Sequence, residues 1–184
     1  NNYLVLLPVL LPLALGYASL HIKFENDEKR TKYSIICTAI NSVIVFAMLF
    51  AMKGASVNVF SFTDVLNIRF KIDGLGCVFA AMVSFLWPLA TIYASEYMHH
   101  EGKMQKFFAF YLMTFGVTVG LAFSANMLTM YLCYEALTFI TLPLVTHSMD
   151  KRAEYAGKKY LIYSVGGASL SFVGMMLMMF FNGS

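Results

Sequence analysis

Apolar runs of bilayer-spanning length recur six times along these 184 residues. Hydropathy places them at about 3–20, 33–52, 74–93, 107–123, 125–149 and 160–181. A helix needs about 20 apolar residues to cross the hydrocarbon core. Only helices and closed barrels can satisfy their own backbone there. The runs are too long and too evenly apolar for barrel strands, which alternate over about 10 residues. The expected fold is an all-α polytopic membrane protein with about six transmembrane helices, read as one transmembrane domain over residues 1–184. Composition agrees: 59% of residues are hydrophobic and 12% charged, against about 25% charged in soluble domains. The net charge of +3 is dispersed over loops and offers no patch for nucleic acid.

The connections add detail. The loops at 21–32, 95–106 and 150–159 hold four, two and four Lys/Arg; the other two hold three and none. The positive-inside rule therefore expects loops one, three and five on the cytoplasmic side. The loop between spans two and three alternates in period two. Over Ser56 to Phe62 the apolar residues are Val57 and Val59, then Phe60 and Phe62 around Ser61; beyond them Leu66, Ile68, Phe70 and Ile72 alternate with Asn67, Arg69 and Lys71. That pattern predicts a small extramembrane β-hairpin turning at Thr63-Asp64. Pro8 and Pro12 are read as residues of the first helix's opening, where few donors are lost. The first run lacks a basic leader and a cleavage site, so it reads as a retained helix.

Cys37, Cys77 and Cys133 lie far apart in apolar runs, without metal-ligand spacing, and read as small buried hydrophobes. Met175, Met176, Met178 and Met179 read as packing residues. Gly166-Gly167-Ala168-Ser169 marks a small-residue face suited to close helix packing. Asp73 and Glu96 flank span three as interfacial carboxylates. No nucleotide-binding glycine pattern, nucleophile triad or metal motif is present, so no cofactor is expected.

One acid breaks the pattern. Glu135 lies near the middle of the uncharged stretch 125–149, where a carboxylate costs roughly 2.5–3.5 kcal/mol on insertion scales. Burial favours the neutral form of a carboxyl and a nearby cation favours the charged one; a group balanced between them can load and unload a proton. Tyr131 at i−4 and Thr138 at i+3 share the face of Glu135 and bring hydroxyls to it. Pro143 withholds an N–H from the Phe139 carbonyl. That freed turn is either a helix break admitting water or an ordinary membrane-helix proline. Lys159 opens span six, either near an entrance to Glu135 or as a snorkelling anchor. His147, twelve residues beyond Glu135, is too distant for contact but stands at the membrane edge, where a His can hand protons inward.

The run YLCYEALTFITLPLVTH from Tyr131 to His147 resembles the fifth helix of the antiporter-like subunits of Mrp cation/proton antiporters, membrane-bound hydrogenases and respiratory complex I. Ile72-Asp73-Gly74-Leu75, Ala94-Ser95-Glu96-Tyr97-Met98, the stretch from Phe107 to Asn126 and Lys158-Lys159-Tyr160-Leu161-Ile162-Tyr163 resemble other family segments in the same order. Tyr134, where the complex I branch often has Trp, makes the run more similar to the Mrp and hydrogenase branch. The resemblance implies a proton (or Na⁺/H⁺) translocation subunit of a multi-subunit complex in a prokaryotic cell membrane. Its implied partners are other membrane subunits, the lipid bilayer and protons, with Na⁺ the alternative ion. Glu135 would be the proton-loading site, joined by Lys159, His147, Tyr131 and Thr138, with Pro143 as a helix break. The resemblance also implies about fourteen spans and a Lys partner for Glu135 on a later helix. These six spans would then be the N-terminal portion of a larger subunit, or a split half, and not catalytic alone. The competing reading is a structural scaffold that anchors the complex.

Overall fold

The structure, a computed structural model, describes residues 2–62, 66–101, 104–147 and 151–182, excepting the side chains of 99–101 and 182. Helix α1 opens with a 3₁₀ turn at Tyr3–Leu6 and continues over Leu7–His21. Then follow α2 (Asp27–Ala51), strands β1 (Ser56–Ser61) and β2 (Asn67–Lys71), α3 (Gly74–Glu101), α4 (Met104–Ala122), α5 (Met127–Val145) and α6 (Lys151–Asn182). All six helical segments are long and apolar enough to span a membrane. The expected architecture of six helices with a hairpin between the second and third is the one observed.

Helix ends differ from the apolar runs for local reasons. Helix α2 begins at Asp27 rather than Tyr33. Asp27 and Glu28 occupy its first turn, where carboxylates complement the helix dipole. Lys32 pairs with Glu28 at 2.6 Å. Helix α6 begins at Lys151 rather than Tyr160, and Lys158 pairs with Glu154 at 2.7 Å one turn apart. Helix α5 stops at Val145, short of the end of its apolar run.

The prolines do more than open a helix. Pro8 lies at the start of α1, but Pro12 is inside it. Pro12 has no N–H for the Pro8 carbonyl, four residues back. Asn41 of α2, fully buried, donates its Nδ2 to that carbonyl at 3.3 Å. A cross-helix amide thus satisfies a backbone acceptor that the helix itself leaves unpaired.

Close approach builds the rest of the bundle. The most extensive contact of α1 is with α4. A Cβ on Gly116 of α4 would stand 2.5 Å from the Val9 carbonyl, and one on Gly16 of α1 would stand 2.7 Å from the Ala109 carbonyl. Glycine at these points lets the two backbones meet, the small-residue packing of membrane helices. Gln105, in the first turn of α4, donates its Nε2 to the carbonyls of Ser19, Leu20 and Ile22 at 2.9, 3.1 and 3.0 Å. The end of α1 is fastened there. Between α3 and α4, Trp87 stacks on Phe115 with ring centroids 5.1 Å apart.

The hairpin is part of the core. Its strands pair antiparallel, with a bulge between Asn58 and Phe60 that sets Phe60 opposite Ile68; Phe60 itself stays exposed. The expected turn at Thr63-Asp64 lies outside the described residues. Val57, Phe70 and Ile72 are buried with Val5, Val45, Met48 and Phe123 in one cluster. Strand β2 is also bonded to the α4–α5 connection. Lys71 N–H donates to the Phe123 carbonyl at 2.7 Å, and Ala125 N–H to the Arg69 carbonyl at 2.9 Å. Asn126 completes the joint. Its Oδ1 caps α5 by accepting from Thr129 N–H at 2.8 Å, and its Nδ2 donates to the Asn67 carbonyl at 2.7 Å. Asp73, exposed, caps α3 by accepting from Gly76 N–H at 2.7 Å.

Two substitutions test this assembly. Asn126→Ala is expected to lower stability by about 1–2 kcal/mol through loss of the cap, and more if the hairpin loosens. Gly116→Leu is expected to separate α1 from α4 and lower the melting temperature further. Both are read by thermal denaturation of the detergent-solubilised protein.

Candidate functional site

Helices α5 and α6 form the peripheral part of the bundle and run side by side in opposite directions. Three points fix their register. Gly157 of α6 lies against Thr146 at the end of α5, so closely that a Cβ there would clash. Thr141 Oγ1 and Tyr160 Oη are 2.7 Å apart. The rings of Tyr131 and Phe172 lie 5.5 Å apart. Thr141 Oγ1 is also within donating distance of the Leu137 carbonyl, at 2.9 Å, and either hydroxyl can be the donor between Thr141 and Tyr160.

Glu135 falls between the Thr141 and Tyr131 contacts, near the centre of α5. It is half-buried, and its Oε1 is buried without a hydrogen-bond partner among the described residues. Tyr131, one turn earlier and also half-buried, is its electrostatic neighbour. Thr138 is buried, but its hydroxyl donates to the Tyr134 carbonyl at 3.2 Å. It therefore has only lone pairs left to offer the carboxyl face. A cavity of about 340 Å³, lined by Met127, Met130, Tyr131, Tyr134, Ser171 and Met175, runs from the first residue of α5 to the turn that carries Glu135.

The other expected site residues lie at the opposite end of α5. Pro143 is inside the last turns, and the helix runs through it to Val145. His147 follows in a turn, half-buried, with its ring edge against Phe107 of α4 at 5.5 Å. Lys159 is exposed, and its Nζ lies over the Tyr155 ring at 4.8 Å. The structure thus joins Glu135 to Tyr131 and leaves His147 and Lys159 as separate edge residues. Nothing in the sequence alone singles out Tyr160 and Phe172. A hydroxyl and a ring on α6 acquire meaning only once the helix register is known.

A multi-pass membrane protein with a half-buried carboxylate midway along one of its apolar helices is what this fold and site define. Comparison with known proteins narrows it. The family model described as NADH-Ubiquinone oxidoreductase (complex I), chain 5 N-terminus, matches residues 59–108. The Na(+)/H(+) antiporter subunit A1 of Staphylococcus aureus (strain bovine RF122 / ET3-1) is 29% identical over 107 residues, covering 57% of this chain and 13% of that protein. The same subunit from strain JH9 aligns with the same identity and coverage. In fold, the chain resembles one in the membrane-bound sulfane sulfur reductase, an archaeal respiratory membrane complex. That match has TM-score 0.75 and 16% identity, and covers 99% of this chain and 28% of the other. It also resembles a chain of respiratory complex I from Thermus thermophilus with bound NADH, with TM-score 0.78 and 17% identity, covering 98% of this chain and 37% of the other. The chain is thus similar over part of its length to Na(+)/H(+) antiporter subunit A1 and, over residues 59–108, to the complex I chain 5 N-terminus model. It aligns with 13% of the length of the antiporter subunits it matches.

The hydroxyl pair between α5 and α6 is measurable. A double-mutant cycle on Thr141→Val and Tyr160→Phe is expected to give a coupling of about 0.6–1 kcal/mol, the usual size for a polar pair between membrane helices. Equilibrium unfolding in mixed micelles checks it.

Proposed function

We propose that this chain is part of a proton-translocating subunit of a multi-subunit membrane complex, and that Glu135 is its proton-loading group. The observation that carries the reading is the Glu135 carboxyl itself. It is half-buried at mid-helix, beside the Tyr131 hydroxyl, with one oxygen lacking a protein partner among the described residues. A buried carboxyl with an unfilled hydrogen-bonding position is suited to exchange a proton with whatever reaches it. A purely structural carboxyl would be satisfied by its neighbours. The similarity to Na(+)/H(+) antiporter subunits supports the same reading. The ion is a proton in this proposal, with Na⁺ as the counter-ion that a Mrp-like complex would exchange. Other membrane subunits are the partners.

Around Glu135, Tyr131 orients the carboxyl and Thr138 offers lone pairs to it. Pro143 leaves the Phe139 carbonyl free in the segment toward His147. Lys159 and His147 stand at the loop-five end, where a cation and an imidazole can set the local proton supply. That end faces the cytoplasm in this proposal, as its excess of Lys and Arg favours.

Glu135→Gln keeps size and hydrogen bonding but cannot load a proton. It is expected to abolish proton translocation by the assembled complex in proteoliposomes, while assembly and melting temperature remain near native. Full pumping by a correctly assembled variant would show instead a scaffold with a structural carboxyl. Lys159→Gln is expected to slow translocation by a few-fold without abolishing it, since a surface cation contributes about 1 kcal/mol or less.

A further inference from the structure

We infer that the seam between α5 and α6 carries protons between Glu135 and the loop-five end of the bundle, with Thr141 and Tyr160 as its conducting hydroxyls. This rests on Glu135 as the proton-loading group and assigns the end from which that group is reached.

The seam is defined by contacts within the chain. Tyr131 meets Phe172 at one level, with ring centroids 5.5 Å apart. Thr141 meets Tyr160 about three turns further along α5. At about 100° per residue, Tyr131, Thr138 and Thr141 fall within about 80° of one another around the helix. All three therefore face α6, and Thr138, between the two contacts in height and in angle, is buried. Glu135 stands at the edge of this stripe, about 40° from Tyr131. Its Oε1 is buried and has no hydrogen-bond partner among the described residues.

The seam is more polar toward loop five. In that direction hydroxyls follow Glu135 at Thr138 and Thr141, each about 4.5 Å further along the axis. Tyr160 adds a third from α6. The same turns contain the Phe139 carbonyl, which Pro143 leaves without a helical donor. Thr141 lies four residues before Val145, the last of α5, so the pair stands about one turn from the helix end. Toward the hairpin the lining is mostly Met127, Met130, Met175 and the Phe172 ring. The Ser171 hydroxyl there is turned back to the Gly167 carbonyl at 3.1 Å.

A hydroxyl that conducts must accept one proton and release another, so it needs more than one orientation. Thr141 Oγ1 has three oxygens to turn between: Tyr160 Oη at 2.7 Å, the Leu137 carbonyl at 2.9 Å and the Thr138 carbonyl at 3.1 Å. Either hydroxyl of the pair can donate to the other. A proton from water at the loop-five end binds the Tyr160 oxygen as Tyr160 passes its own to Thr141. Thr141 passes its own in turn to a short file of water held by the Thr138 lone pairs, and the last water protonates the Glu135 carboxylate. Each hydroxyl breaks one O–H bond and makes one, so only Glu135 changes its protonation state. Release runs the same steps backwards.

The test measures proton translocation by the assembled complex in proteoliposomes, with melting temperature and solvent isotope effect recorded for each variant. Tyr160→Phe and Thr141→Val each remove one hydroxyl and are expected to slow translocation about a hundredfold, the lower end of what a positioned proton-transfer group contributes. The H2O/D2O rate ratio should rise in both, because proton delivery becomes limiting. The double variant should be no slower than either single one, because both groups act as one path. Thr141→Ser keeps the hydroxyl and should pump near the native rate. Native rates in Tyr160→Phe or Thr141→Val, or a Thr141→Ser as slow as Thr141→Val, would overturn the inference. So would slowing with an unchanged isotope effect and a matching loss of assembly, the result expected of a helix clamp. Glu135→Gln, run alongside, separates the two readings. Pumping by Glu135→Gln removes the proton-loading group itself, whereas an inactive Glu135→Gln beside a native-rate Tyr160→Phe removes only the path.

Discussion

Backbone groups inside a bilayer have no water to turn to, and this constraint explains most of the described contacts. Each proline inside a helix opens a gap in the hydrogen-bond ladder, and each helix end leaves several groups unpaired. At Pro12 the gap is closed from another helix by Asn41. At the end of α1 it is closed by the amide of Gln105, which serves three carbonyls at once. At the start of α5 a single Asn126 caps the helix and grips the hairpin. Polar side chains in this bundle are used chiefly on backbone. Thr38, Thr91, Thr114, Thr118 and Thr138 all return their hydroxyls to carbonyls of their own helices.

Against that background Glu135 stands apart. Its carboxyl serves no helix end, and one of its oxygens is left over. It also lies on the less enclosed part of the molecule. Helices α1 to α4 and the hairpin share one core, whereas α5 and α6 bury only a small share of their apolar length. The well-packed part therefore acts as a frame. The acid is carried on a helix tied to that frame at one end by Asn126 and at the other by the Phe107–His147 contact.

Much of this is legible in the sequence. Spanning runs, alternation in the hairpin and a lone acid in an apolar helix are one-dimensional signals, because each depends on residues close together in the chain. The intramembrane prolines are only half legible. Pro12 is visible as a residue, but its consequence lies in Asn41, which no local pattern links to it. The helix ends at 27–32 and 151–159 are hidden because hydropathy reports where lipid begins, not where a helix does. Tyr160 and Phe172 become partners of α5 only through a register that is set by Gly157 against Thr146, a steric fact without a sequence signature.

The fastening of α1 to α4 has a consequence for how the chain is made. Of the described helices α1 is synthesised before the others, yet its main neighbour and the amide that closes its end arrive only after α2, the hairpin and α3. Until Gln105 is inserted, the final carbonyls of α1 must rely on the water of the interfacial region. Asn41 reaches α1 much earlier and covers the Pro8 carbonyl, which Pro12 leaves without a partner in its own helix. The order of synthesis thus places the urgent repair first and leaves the interfacial one until the bundle can close.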